Sequence, residues 1–167
     1  MELTSLIEIW KWFRWIPPLI LKHIFTKSRL SELVYIDVRP RGDSVRVCLG
    51  ETSSFDIYLQ IINMTPFEIE LDRAEFDLNF SGVTIKNKHL KKSVIKAGQI
   101  YDLYISDGID GSKAIVIDRM SKSGNASAID VYCVFNCKLG QFVKECFHLG
   151  NVNVKYNGNL SKSDQGA

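Results

Sequence analysis

Two long alternating runs of apolar and polar residues meet at Asn63-Met64-Thr65-Pro66. Phe55, Ile57, Leu59 and Ile61 fall on one face of an extended chain, and Asp56, Tyr58 and Gln60 on the other, the pattern of a half-buried strand. Ile62 breaks it. Pro66 has no N–H for a ladder and biases Thr65 away from helix, so the first strand is expected to end near Met64 and a second to begin at Phe67. In that second run Phe67, Ile69 and Leu71 share one parity, and Ala74, Phe76, Leu78 and Phe80 share the other. A β-bulge at Asp72-Arg73 returns both sets to one face.

The period of two begins at Leu33. Residues 33–39 and 44–49 flank Pro40-Arg41-Gly42-Asp43, a turn-rich connection of hairpin length. Residues 82–96 read as a lysine-rich loop and edge strand, and 99–106 as a further strand. Residues 107–125 open in a turn and hold a short helix or strand around 114–120, which periodicity does not decide. Residues 128–138 and 141–155 form a closing hairpin across Leu139-Gly140, with Gly140 supplying the freedom of a tight turn. A symmetric turn there sets Cys133 opposite Cys146 and Cys137 opposite Phe142. The fold class this predicts is all-β, an antiparallel β-sandwich over residues 31–155, followed by an apolar-poor, disordered tail over 156–167.

Residues 1–30 follow a helical period instead. They predict a helix, a break at Pro17-Pro18, and a second short helix that accepts Pro18 in its first turn. Leu6, Trp10, Phe13, Ile20, Leu21, Ile24 and Phe25 lie within a broad apolar arc, opposite Glu8, Lys11 and Lys22. A cleaved signal is not expected, because a basic start, an unbroken apolar centre and a small-residue cleavage site are all missing. A span is opposed by Glu8, Lys11, Arg14 and Lys22 and by the shortness of the longest apolar run, the seven residues from Trp15 to Leu21. The segment is therefore expected to lie in a membrane interface, with Trp10, Lys11, Trp12, Phe13, Arg14, Trp15 and Lys22 at the headgroup level. A greasy protein groove accepts the same face.

With 167 residues, 46% of them hydrophobic, the chain suits one core-bearing domain and this appendage. The net charge of +2 is too small to favour nucleic acid. Its distribution is informative, since basic residues concentrate near the start and acidic ones between 51 and 80. Lys86, Lys88, Lys91 and Lys92 form a second basic cluster, read as a solvated edge or as a phosphate contact. The absence of aromatics among them favours lipid headgroups over single-stranded nucleic acid.

Cys48, Cys133, Cys137 and Cys146 lie in strand-like runs without a CxxC pair, so zinc is not expected and reduced thiols in a cytosol-facing domain are. Asp107-Gly108-Ile109-Asp110-Gly111 lacks the spacing of a calcium loop and reads as a turn. Arg41-Gly42-Asp43 is ordinary turn chemistry, and the sequons at Asn63, Asn125 and Asn159 matter only in a secreted domain. His23, His89 and His148 stand apart from any nucleophile or metal pattern, and no phosphate-binding glycine loop occurs. No enzyme activity, cofactor or metal is expected.

The runs SFDIYLQIINMTPFEIELDRAEFDLNFSG, VIKAGQIYDLYIS and AIDVYCVFNCKLG give residues 33–155 a further reading. They resemble the group 2 late embryogenesis abundant family, also called the water stress and hypersensitive response domain. Asn63 and Pro66 depart from it, being separated by Met64 and Thr65 where the family has Asn-Pro together. The resemblance implies an immunoglobulin or fibronectin type III-like sandwich, often behind a membrane-inserted amino terminus, with no catalytic residues. The expected function is a non-catalytic interaction or stabilising module, held at a membrane surface rich in anionic lipid, on its cytoplasmic face. The alternatives are a soluble subunit docking through its amino-terminal helices and a small carrier of lipid or another apolar ligand.

Overall fold

The computed structural model describes residues 16–39, 44–50, 52–80, 82–121, 127–152 and 154–157. In chain order the elements are α1 (Pro18–Ile24), α2 (Lys27–Glu32), β1 (Val34–Val38), β2 (Val45–Cys48), β3 (Ser54–Asn63), β4 (Ile69–Phe80), β5 (Val83–His89), β6 (Ser93–Ile95), β7 (Ile100–Gly108), α3 (Gly111–Ser121), β8 (Ser127–Cys137), β9 (Gly140–Val152) and β10 (Val154–Asn157).

The strands form two five-stranded sheets, each built on one of the two alternating runs. In the first, β7 lies along one edge of β3, while β1 and β2 share the other edge end to end. β10 then runs parallel to β2. In the second, β8 and then β9 lie to one side of β4, and β5 and β6 share the other. Phe55, Ile57, Leu59 and Ile61 of β3 are buried with Phe76, Leu78 and Phe80 of β4 and Phe135 of β8 in one core. Each such side chain contributes about 1.5–3 kcal/mol by leaving water, which is why the alternation is so regular.

The bulge falls where the parity flips. Leu71 faces Phe135 and Arg73 faces Val134, so Asp72 is the unpaired residue, and Ile69, Leu71, Ala74 and Phe76 all reach the core. Residues 111–121 are helical, with Ala114, Ile117 and Asp118 buried at helical spacing. Asp110 starts that helix: its Oδ1 accepts the Ser112 N–H at 2.9 Å, and its carbonyl accepts the Ala114 N–H at 2.8 Å.

Four features differ from the sequence expectations. β1 and β2 are not a hairpin. Both run antiparallel to β3, so the chain does not reverse between them, and the seven positions from Val38 to Val45 advance only from Leu59 to Ile57 along β3. The Arg41-Gly42-Asp43 triplet lies outside the described residues. The closing hairpin turns at Lys138-Leu139, one position earlier than expected, with Gly140 at φ +131° pairing with Cys137. Cys133 therefore faces Lys144, Cys146 faces Val131, and all four cysteines are free thiols. Finally, Tyr156 and Asn157, expected in a disordered tail, belong to β10, and the Leu49 N–H donates to the Asn157 carbonyl at 3.0 Å.

Candidate functional site

The end of the sandwich where β3 hands over to β4 is organised by one side chain. Asn63 is fully buried, and its amide nitrogen donates to the carbonyls of Phe67 (2.8 Å), Ile95 (3.0 Å) and Lys96 (3.1 Å). Its amide oxygen accepts from the Thr65 N–H (3.0 Å) and the Thr65 hydroxyl (2.7 Å). The Asn63 N–H donates to the Gln99 carbonyl, and the Gly98 N–H donates to the Asn63 carbonyl. A chain crossing between two sheets strands backbone groups that no ladder satisfies, and this carboxamide supplies both donor and acceptor for them. Pro66 and the buried Thr65 complete the corner.

The amino-terminal helices dock on this same end. Pro18 opens α1, where its missing N–H costs nothing. Leu21 and Phe25, one turn apart, are buried together with Leu30 of α2. The Phe25 ring meets Phe67 edge-on at 5.2 Å, and the Lys138 ammonium lies 4.5 Å above Phe67 from the β8–β9 turn. α2 packs against β9, and the Met64 N–H donates to the Leu33 carbonyl at 2.9 Å. The apolar arc of the sequence is thus divided. Its Leu21–Phe25 stripe faces the sandwich, while Ile20 (52% exposed) and Ile24 (36%) face outward, and Leu19 (84%) is exposed outside the arc, on the side of Lys22. Lys22 is exposed on α1; Trp10, Lys11, Trp12, Phe13, Arg14 and Trp15 lie outside the described residues. Among the described residues no helix is long and apolar enough to cross a membrane.

The lysine cluster meets the acidic stretch of the sequence along β4, Lys86 and Lys88 from β5 and Lys92 from the β5–β6 connection. Lys86 Nζ lies 3.2 Å from Asp77, Lys88 Nζ 3.4 Å from Glu75, and Lys92 Nζ 2.8 Å from Asp72 and 3.4 Å from Glu70. The Asp72 hydrogen bond and charge, with the charge of Glu70, raise the Lys92 ammonium above its usual pKa. Lys91 is exposed, with no carboxylate within 4.0 Å among the described residues. These pairs form a solvated ladder, in which each exposed pair is worth about 0–1 kcal/mol. Replacing Lys86→Gln and Lys88→Gln together is expected to cost less than about 1 kcal/mol, with the difference vanishing in 1 M salt. Urea unfolding at two salt concentrations measures this, and a loss above about 2 kcal/mol that persists in high salt contradicts the ladder reading.

On the outer face of the second sheet, Glu75, Asp77, Lys86, Lys88, Asp130, Tyr132, Glu145 and Phe147 line an open depression of about 410 Å³. His148 adopts φ +51° at a bulge in β9, held by its N–H donating to Asp130 Oδ1 at 2.7 Å. Burial pushes the Cys133 thiol well above its ordinary pKa, which keeps it protonated and unreactive. Burial and Lys91 lower the pKa of His89. Among the described residues no three His, Cys, Asp or Glu side chains converge on a metal-sized site.

Comparison with known proteins adds a set of partial structural likenesses. No protein-family model and no curated protein matches the chain. A solution structure of a candidate late embryogenesis abundant (LEA) protein is 11% identical, covers 87% of this chain and 79% of its own, and superposes with a TM-score of 0.44. A solution structure of an Arabidopsis thaliana protein is 14% identical over 67% of this chain and 72% of its own, with a TM-score of 0.43. A crystal structure of a protein from Archaeoglobus fulgidus is 11% identical over 68% and 91%, with a TM-score of 0.41.

Proposed function

We propose that this chain is a non-catalytic, membrane-associated interaction or stabilising module. In this reading it is an immunoglobulin or fibronectin type III-like sandwich of the group 2 late embryogenesis abundant kind. Its amino-terminal segment lies in the lipid interface on the cytoplasmic face. The observation that carries the proposal is the division of α1. One stripe, Leu21 and Phe25, fixes the helix to the sandwich, and the neighbouring stripe of Ile20 and Ile24 is left facing water, as is Leu19 on the side of Lys22. An outward apolar stripe beside exposed Lys22, continuing in sequence from Trp10, Trp12 and Trp15, has the composition of an interfacial anchor.

A protein groove satisfies the same stripe, and that reading makes the chain a subunit of a complex. The carrier reading has less support, because Phe55, Phe76, Phe80, Phe135 and Phe142 occupy the interior fully buried and a carried lipid has to displace them. Liposome flotation of the intact chain against a Trp10→Ala, Trp12→Ala, Trp15→Ala variant tests the anchor. The intact chain is expected to float with vesicles containing anionic lipid and the variant to remain largely in solution. Equal behaviour of the two defeats the anchor.

A further inference from the structure

The exposed cations of the Asn63 end differ from those of the β4–β5 ladder in one respect. Lys22 and Lys27, Arg29, Lys96 after β6, and Lys138 in the β8–β9 turn are all exposed. Among the described residues none of the five lies within 4.0 Å of a carboxylate, whereas Lys86, Lys88 and Lys92 each do. Two of the five are held in place without being neutralised. Lys138 rests on the Phe67 ring, and Arg29 Nη1 donates to the Ile24 carbonyl at 3.0 Å, tying α2 to the end of α1. Among the described residues the exposed acids at or near this end are Glu32, Glu68 and Asp102, so the five cations outnumber them.

The opposite end of the sandwich carries α3, anchored by the Ile109 N–H on the Ser53 carbonyl and by Lys113 Nζ on the Thr84 carbonyl. There the exposed Asp107 and Asp110 are accompanied by the exposed Lys113 and Arg119, so the described residues of that end carry no cationic excess. The ten residues of β3 separate the two ends by about 33 Å, several Debye lengths at physiological salt. An anionic surface therefore attracts one end while the other lies beyond its field.

We infer that the Asn63 end is a headgroup-contacting surface for an anionic bilayer, with Lys22, Lys27, Arg29, Lys96 and Lys138 as a cationic collar around the outward stripe of α1. The sandwich then stands on this end, its strands steep to the membrane, and presents α3 to the cytosol. This rests on the anchor reading and adds to it the orientation and the phosphate-contacting residues. It also moves the lipid contact away from Lys86 and Lys88, whose charge the second sheet already neutralises.

Each cation near an anionic leaflet is worth about fivefold in partitioning. Lys22→Gln, Lys96→Gln and Lys138→Gln together are expected to weaken binding of the full chain to phosphatidylserine-containing vesicles on the order of a hundredfold. Binding to pure phosphatidylcholine vesicles is expected to be unchanged. A control that removes the same net charge elsewhere, Lys86→Gln, Lys88→Gln and Lys113→Gln, is expected to stay within about twofold of the unmodified chain, its sites lying beyond the screened field. A control as weakened as the collar variant overturns the inference in favour of bulk charge. A collar variant that binds like the unmodified chain overturns it while leaving the anchor standing. If the unmodified chain binds neither vesicle, anchor and collar fall together and an acidic protein groove takes their place. Amide hydrogen exchange of the vesicle-bound, unmodified chain supplies a readout free of any variant. Protection is expected over 96–99 and 138–141 and not over 109–113, and the reverse pattern overturns the orientation.

Discussion

Asn63→Asp is expected to destabilise the protein by on the order of 4 kcal/mol, lowering the thermal midpoint by about 8–16 °C. The amide it replaces donates to three carbonyls at 2.8–3.1 Å. A carboxylate has no hydrogen to give and sets negative charge against all three oxygens, in a site without solvent to relieve it. Burial among carbonyls raises the folded-state pKa of the introduced acid. The folded state then holds its proton more tightly than the unfolded chain, so the deficit is smallest below the ordinary aspartate pKa of about 3.9 and grows as pH rises through the folded value. Denaturant unfolding at several pH values reads both the size and the sign. A variant within about 1 kcal/mol of the parent removes Asn63 from its place as the organiser of the corner.

Starting the chain at Ser31 is expected to cost about 5–8 kcal/mol, because Leu21, Phe25 and Leu30 leave together and bare the apolar surfaces they cover. The alternating pattern taken alone leads to the expectation that residues 31 onward fold cooperatively on the core their strands supply, and it assigns the helices no share of that core. The structure places α1 and α2 within the same core, so the truncated domain is expected to unfold cooperatively but well below the full chain. Phe25→Ala alone is expected to account for about 3 kcal/mol through loss of the Phe67 contact. Matching calorimetric midpoints for the full and truncated chains contradict the docking of the helices.

The sequence revealed what depends on side-chain parity and missed what does not. The bulge at Asp72 was legible because one inserted residue switches every later side chain to the wrong face. The slip of the closing hairpin was not, since moving the register by two keeps every side chain on its face. Alternation is blind to it, and Cys133 facing Lys144 satisfies the pattern as well as Cys133 facing Cys146. The direction of β2 relative to β1 was equally hidden, because both pair with β3 and neither pairs with the other.

The ion-pair ladder had a signal that went unused. Glu75 and Asp77 stand as far before the midpoint of the β4–β5 pairing as Lys88 and Lys86 stand after it, so the acidic and basic stretches are complementary about one point. Gly82, at φ +84°, marks that point. The five cations of the Asn63 end had no such signal. They come from α1, α2, the connection after β6 and the β8–β9 turn, and only the tertiary fold gathers them.

The pairing of β10 with β2 joins Val154–Asn157 to Val45–Cys48, across more than a hundred residues of chain. During synthesis β1, β2 and β3 emerge together and can zip early, yet the outer edge of β2 gains its neighbour only after both sheets have been made. Until then that edge offers unpaired N–H and C=O groups to any other nascent strand, and long-range pairings of this kind close slowly. The protein is therefore expected to be most vulnerable to aggregation, and most dependent on chaperones, in the interval between the emergence of β3 and that of β10.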